Sequence, residues 1–305
     1  MKRHSAFTMI ELIFVIVVMG IIGKFGVEFL ARAYENFILT TTNNQLQAKS
    51  TTTVEFIASR LQYRIKDSVI VRQAINNVNF TSLASAVNGT QYLVLEWIAT
   101  DIDSFRGDST KPFWSGILDL DIGNTNLLVS PETETNSTNS VINALSNGGS
   151  GINDAALHFV GSNTDINGYG WNGVALTDQN SVMHPIKSGV NINEFVPRNG
   201  ATGVTNSLAG VDIYEYYKLA WTANAVVIDY NATTNIGNLQ FCTNYQPWNG
   251  ETYFNNGICR PLMNDISTFR AMAIGSIIKI QVCAKSDLLV SENKDYSLCK
   301  EKTIY

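Results

Sequence analysis

Glu11 is the one charged residue in an apolar segment that runs from Phe7 to Gly23. An ionisable side chain in the middle of a bilayer costs about 2.5–3.5 kcal/mol on insertion scales, so such residues are rare there and usually have a partner. A carboxylate in hydrocarbon is stabilised by a cation placed against it. The position of Glu11 therefore predicts a partner for its side chain, and the alternative is a side chain that snorkels or stays protonated.

The four cysteines all lie in the last quarter of the chain, as Cys242, Cys259, Cys283 and Cys299. None forms a C-x-x-C pair and the nearest histidine, His184, is far upstream, so the spacing is not typical of a zinc site. The separations, 259 − 242 = 17 and 299 − 283 = 16, favour two local disulfides in an oxidising compartment. Four cysteines allow three pairings that sequence does not separate, and four buried free thiols are the alternative.

One short motif is similar to a calcium loop. In NTDINGYG, positions 1, 3, 5 and 6 of the loop pattern would be Asn163, Asp165, Asn167 and Gly168. Position 12 would be Val174, where a bidentate Glu is needed, so an ion would require ligands from elsewhere. An Asx-rich turn is favoured over calcium. We expect no cofactor, with calcium as the weaker candidate.

A polar segment near residue 105 has two motifs. RGDS at 106–109 matches a host-receptor tripeptide, but such matches arise by chance and a solvated loop is favoured. Asp101, Asp103 and Asp108 form a small acidic cluster, which predicts a polar turn.

Catalysis has little support in the sequence. Neither His158 nor His184 lies in a G-x-S-x-G or H-E-x-x-H frame. The 305-residue chain has 15% charged residues, a net charge of −5 and no basic cluster beyond its first few positions. We therefore expect a protein that is not an enzyme and does not bind nucleic acid directly.

The segment that positions Glu11 begins with a short basic head, MKRHSA, which the positive-inside rule keeps in the cytoplasm while the rest is exported. As a helix, Phe7–Gly23 rises about 26 Å, slightly less than a ~30 Å hydrocarbon core, and Lys24 could snorkel to the far interface. No small-residue cleavage site follows the apolar segment. The small residue at a change of composition is instead Ala6, where the basic head ends and the apolar segment begins.

The stretch SA/FTMIELIFVIVVMGIIG resembles the prepilin signature of type IV pilins and type II secretion pseudopilins. The resemblance implies that a prepilin peptidase and methyltransferase cuts between Ala6 and Phe7 and N-methylates Phe7. Glu11, the fifth mature residue, would then face the Phe7 amine of a neighbouring pilin or pseudopilin subunit during assembly. The family usually has Gly before the cut, and Ala6 departs from that pattern. The resemblance also implies a single-pass protein of the bacterial inner membrane with a periplasmic head.

Beyond the apolar segment, apolar residues recur at steps of three, four and four, as on one face of an amphipathic helix: Val54, Ile57, Leu61 and Ile65. The Asn- and Thr-rich composition of residues 40–53 weakens helix propensity and predicts a loosened stretch. We predict one long, imperfect helix from residue 7 to about 75.

From residue 76 onward, short apolar runs alternate with polar stretches. The candidate strands are QYLVLEWI (91–98), ALHFV (156–160), AVVIDY (225–230), NLQFC (238–242) and SIIKIQVC (276–283). SPETETNSTNS (130–140) and SNGGSGIND (146–154) predict surface loops. DISTFR (265–270) before SIIKIQV (276–282) is similar to an element of larger, J-type minor pseudopilins.

The predicted fold class is α+β, a long N-terminal membrane-anchored helix packed on an antiparallel β-rich head. The predicted segments are a leader (1–6), a transmembrane and assembly helix (7–30), its amphipathic continuation (31–75) and the head (76–305). We expect a structural minor pilin or pseudopilin subunit of a type IV pilus or a type II secretion-like filament. The alternatives are a filament-tip adhesin or binding module and, more distantly, a membrane-anchored periplasmic enzyme.

Overall fold

The computed structural model of the chain describes residues 8–87, 90–231, 233–234, 236–289 and 295–305. Within these residues the α-helices are α1 (Met9–Leu61), α2 (Ile102–Arg106) and α3 (Thr135–Leu145). The strands form two antiparallel sheets. The predicted α+β class, with a long N-terminal helix on an antiparallel β-rich head, is confirmed.

The strands in chain order are β1 (Ile70–Arg72), β2 (Thr81–Ser82), β3 (Val94–Ala99), β4 (Asp119–Asn124), β5 (Leu127–Val129), β6 (Ala156–Phe159), β7 (Met183–Ser188), β8 (Glu194–Pro197), β9 (Tyr217–Ala220), β10 (Thr222–Tyr230), β11 (Gly237–Tyr245), β12 (Ile258–Ile274), β13 (Ile277–Leu289) and β14 (Asp295–Ile304). The larger sheet has the order β14-β13-β12-β11-β10-β3-β1-β2, and the smaller has the order β4-β5-β8-β7-β6-β9. Each of the five predicted strands overlaps an observed one.

The smaller sheet is an insertion within the larger one. β3 and β10 are neighbours in the larger sheet, with Ala99 opposite Thr222, so the chain leaves and re-enters the sheet at adjacent positions. The intervening residues 100–221 form the smaller sheet with α2 and α3. Ile117 bridges Tyr216, which joins the segment before β4 to the segment before β9. The inserted sheet therefore curls toward closure around its own core, which includes Leu157, Phe195 and Leu219.

The second half of α1 packs on one face of the larger sheet. Its apolar stripe of Val54, Ile57 and Leu61 is buried in a cluster with strand residues such as Trp97 and Val226. The apolar residues that recur at steps of three and four in the sequence are thus the residues buried against the sheet, because residues three and four apart lie on the same face of a helix.

The opposite face of the larger sheet packs on the insertion and contains a buried ion pair. Arg72 of β1 binds the Glu96 carboxylate, whose other oxygen accepts from the Tyr245 hydroxyl at 2.8 Å. Arg72 also donates to the carbonyl of Trp171 at 3.0 Å. Burial raises the pKa of Glu96, and Arg72 and Tyr245 act against that rise. These contacts fasten β1, β3 and β11 to the inserted segment.

The helix prediction was wrong at two places. α1 ends at Leu61 rather than near residue 75, and the head begins at β1 rather than at residue 76. The backbone turns there because the N–H of Ile65 donates to the carbonyl of Ile98 in the sheet. The predicted loosened stretch, residues 40–53, is instead continuous helix. Its polar side chains are accommodated there: the buried hydroxyl of Ser50, for example, donates to the Leu46 carbonyl of the same helix at 2.7 Å.

One loop prediction was also wrong. Residues 130–140 contain the start of α3, which buries Thr135, Thr138 and Ile142 against the insertion. The polar composition hides this amphipathic helix because two of its three buried residues are threonines. The second predicted loop, 146–154, contains only a short 3-10 turn at Ile152–Asp154.

Candidate functional site: the unpacked half of the N-terminal helix

α1 projects far beyond the head. Its 53 residues rise about 80 Å, and the first buried side chain is that of Leu46. Residues 9–40, which precede the partly buried residues 41–43, therefore extend as a helix of about 48 Å. This projecting part, residues 9–40, is called the free helix.

Residues 9–23 of the free helix expose large apolar side chains on all sides, whereas the part that follows also exposes Lys24, Glu28, Arg32 and Glu35. Met9, Ile10, Phe14 and Phe29 are between 70% and 82% exposed. A helix that is apolar all round is stable when lipid or other helices cover it. By length and composition, α1 is a candidate membrane span.

No contact among the described residues requires glycine at the three glycine positions of the free helix. A Cβ atom placed on Gly20, Gly23 or Gly26 would meet no atom within 4 Å. Each glycine nevertheless lowers helix stability by roughly 1 kcal/mol relative to alanine. The helix is continuous through all three despite this.

Glu11 lies in the first turn of α1. Its Oε2 atom accepts from the Thr8 N–H at 2.9 Å and from the Thr8 hydroxyl at 2.8 Å, so the carboxylate caps its own helix. A carboxylate near a helix N-terminus is stabilised by the unpaired N–H groups there. Ala6 and Phe7, the predicted cleavage and methylation residues, lie outside the described residues, so the amine contact of Glu11 stays a prediction.

Two disulfides staple the outer strands of the larger sheet. Cys242 of β11 bonds Cys259 of β12, and Cys283 of β13 bonds Cys299 of β14. Each bond joins residues that lie directly opposite in the strand register. This is the pairing that the two similar sequence separations favour. The second staple joins two strands that pack against α1.

The calcium-like motif is a set of turns. Asn163 Oδ1 accepts from the Asp165 N–H at 3.1 Å, and Asp165 Oδ1 accepts from the Asn167 N–H at 3.0 Å and side chain at 2.9 Å. These are Asx turns, each using the oxygen that a calcium ion would need. Across the described residues, no group of three or more His, Cys, Asp or Glu side chains is arranged to hold a metal ion.

The polar turn predicted for Asp101, Asp103 and Asp108 is wrong for the first two, which begin the short helix α2, and only Asp108 lies in a turn. Asp101 is buried at the start of α2, where its Oδ1 accepts from the Ser104 N–H at 3.2 Å, and burial raises its pKa to about 6. Asp108, within RGDS, accepts from the N–H groups of Thr110 and Lys111 at 2.7 and 3.1 Å.

The two histidines of the head are buried on neighbouring strands of the insertion. Burial lowers the pKa of both, that of His184 to about 3. His184 stacks on Phe159 with ring centroids 4.5 Å apart, and His158 stacks on Tyr169 at 6.2 Å. Both imidazoles are thus neutral members of an aromatic core at physiological pH.

Sequence reasoning missed the Arg72–Glu96 pair. Its signal was present: IVR and VLEWI each place one charge inside an apolar strand. A charge in such a run is rarely buried without a partner. Two apolar strands that each contain one charge, of opposite sign, therefore predict a buried ion pair if the two strands are neighbours in the sheet.

Scans of the chain against protein-family models, curated proteins and solved structures return no match. A long apolar N-terminal helix joined to a β-rich head is compatible with a pilin-like fold.

Proposed function

We propose that the protein is a membrane-anchored minor pilin or pseudopilin subunit, cut between Ala6 and Phe7 and N-methylated at Phe7, that assembles into a type IV pilus or type II secretion-like filament. The observation that carries this proposal is the division of α1 at Leu46, with one half packed on the head and the other exposed and apolar. A single helix that packs on a head and also leaves a long exposed segment with an apolar first part is suited to contact with other subunits.

The free helix would be covered by different partners before and after assembly. Before assembly its apolar side chains would contact lipid, and after assembly they would contact the helices of neighbouring subunits. Gly20, Gly23 and Gly26 support the second state, because glycines with open space around them allow another helix backbone to approach closely.

Glu11 would provide the register of assembly. Among the described residues, its carboxylate accepts from the N–H and the hydroxyl of Thr8. A cationic amine from a neighbour would be a stronger partner in hydrocarbon, because it neutralises the carboxylate charge, which the neutral donors of Thr8 do not. The head, held by Leu46 to Leu61 on the larger sheet, would then be placed at a fixed position on the filament.

The inserted residues 100–221 favour a second function for the head. The chain leaves the larger sheet at Ala99 and returns to it at Thr222, which pairs with Ala99. The larger sheet, on which α1 packs, therefore has the same strand order with or without the insertion. An insertion of this kind is suited to a specific contact, as in a filament-tip adhesin or binding module.

The test of the proposed function is the mature N-terminus. Intact-mass analysis of protein extracted from bacterial membranes with an active prepilin peptidase should show loss of residues 1–6 and addition of one methyl group at Phe7. Blocking the cut with an Ala6→Leu substitution gives the unprocessed control mass. Retention of Met1 to Ala6 in the unsubstituted protein contradicts the proposal.

A further inference from the structure

A cleft of about 650 Å³ lies beside the second half of β12. Its opposite wall is formed by Leu83, Ala86, Val87, Thr90, Gln91 and Tyr92, and the turn Leu83–Ser85 in this wall contacts β12. Seven consecutive residues of β12, from Ser267 to Ala273, line it. Successive side chains of a strand point to opposite faces, so one cavity reaches all seven only where it runs along the edge of the strand. The cleft therefore exposes a strand edge.

The pairing of β12 explains why this edge is open. The first half of β12 pairs with β11 as far as Ile266, opposite Gly237. The second half pairs with β13 on its other side, from Ile266 to Ile274. On the β11 side, no strand among the described residues pairs with β12 beyond Ile266.

The hairpin geometry gives the direction of the backbone groups. β12 and β13 are joined by the two-residue loop of Gly275 and Ser276, with Gly275 at φ 59°. Such a loop is closed by a hydrogen-bonded pair, here Ile274 with Ile277. Hydrogen-bonded and non-hydrogen-bonded pairs alternate along an antiparallel ladder. The backbones of Met272 and Arg270 therefore bond β13.

The residues between them turn their backbone groups to the cleft. These are Phe269, Ala271 and Ala273. Phe269 lies against Tyr230 on the cleft wall, where burial raises the pKa of the Tyr230 hydroxyl and the Phe269 backbone lowers it. For Ala271 and Ala273, no backbone hydrogen bond crosses the cleft within the described part of the chain. Two residues with small side chains thus present unpaired N–H and C=O groups to the cleft, next to the place where the turn Leu83–Ser85 contacts β12.

The charge of the groove is positive. Lys279 and Glu301 line it but form an ion pair with each other at 2.9 Å. Arg270 is exposed on the same strand edge and has no ion pair with any described residue. A carboxylate placed in the groove would complement the Arg270 guanidinium.

We propose that this edge binds an extended, acidic peptide segment of a partner protein by strand addition. The backbone of the peptide pairs with Ala271 and Ala273, and one of its carboxylates faces Arg270. Residues 267–274 span about 26 Å in strand geometry, enough for a partner strand of about six residues. The proposal rests on the head alone and does not depend on the function of α1.

Fluorescence anisotropy with the full chain in detergent tests it. The probe is a labelled, acetylated hexapeptide of alternating Val and Thr with one central Glu. A second peptide has Lys in place of Glu, and a third has alternate backbone nitrogens methylated. We expect the Glu peptide to bind and each altered peptide to bind about tenfold more weakly or less well.

The matched variants are Arg270→Glu and Arg260→Glu, since Arg260 is an exposed arginine on the half of β12 that pairs with β11. Arg270→Glu should reverse the preference between the Glu and Lys peptides, and Arg260→Glu should leave both affinities unchanged. No binding of the Glu peptide, equal binding of the N-methylated peptide, or equal effects of the two substitutions would each overturn the proposal.

Discussion

The buried imidazole of His184 should make the head sensitive to acid. Its pKa is about 3 in the folded protein, because burial disfavours the cation, and 6.5 in the unfolded chain. Between these values the unfolded state binds more protons than the folded state, so the free energy of unfolding falls as the pH is lowered. From pH 7 to pH 5 the loss from this group is about 2 kcal/mol.

Asp101 acts in the opposite direction over the same interval. Burial raises its pKa to about 6 from an unfolded value of 3.8, so here the folded state binds more protons. From pH 7 to pH 5 this group adds about 1 kcal/mol to the free energy of unfolding. The two contributions are separable because each group can be replaced by a side chain that stays neutral at both pH values.

The assay is urea denaturation of the full chain in detergent, followed by tryptophan fluorescence at pH 7 and pH 5. His184→Gln should reduce the acid loss by about 2 kcal/mol relative to the unsubstituted protein. Asp101→Asn, which keeps an oxygen for the Ser104 N–H, should enlarge the acid loss by about 1 kcal/mol. A His184→Gln variant with the same pH dependence as the unsubstituted protein would show that His184 is not the source of the acid sensitivity.

Two further predictions concern the stability of the head. Leu61→Ala removes a fully buried side chain between α1 and the larger sheet and should lower the free energy of unfolding by about 2–5 kcal/mol, whereas Ile21→Ala on the free helix should leave it unchanged; equal urea midpoints for the two variants would contradict the packing. Replacing Cys242 and Cys259 together by alanine removes a loop closure of 17 residues and should cost up to ~3 kcal/mol, read from the same urea midpoint, and an unchanged midpoint would count against the staple.

The sequence predicted elements whose pattern is periodic and local. The stripe of Val54, Ile57 and Leu61 gave the buried face of α1, and the alternation of Ile278, Ile280 and Val282 marked β13, because burial follows the side-chain period in both. The end of α1 was not predictable in this way, since the fourth member of the stripe, Ile65, is buried in a different cluster after the chain has turned.

Features that depend on contacts between distant parts of the chain could not be predicted from local sequence patterns. That β3 is the neighbour of β10, so that 100–221 is an insertion, depends on pairing between strands more than 100 residues apart. The open edge of β12 depends on where β11 begins, at Gly237, and no feature of β12 itself encodes that end. Glu11 is the reverse case. Its type and position in the sequence predicted a partner, whereas among the described residues of the single chain its side chain contacts Thr8.

The most direct test of the assembly role is crosslinking of the full-length protein to other pilin-like subunits in membranes, compared between the unsubstituted protein, Glu11→Ala and Glu28→Ala. Glu28 is a second exposed carboxylate of the free helix and serves as the matched control. Breaking a buried ion pair costs about 3–5 kcal/mol, so Glu11→Ala should reduce the crosslinked yield to background while the protein stays inserted and disulfide-bonded, and Glu28→Ala should crosslink normally. Equal yields from all three proteins would contradict the assignment of Glu11 as the docking group.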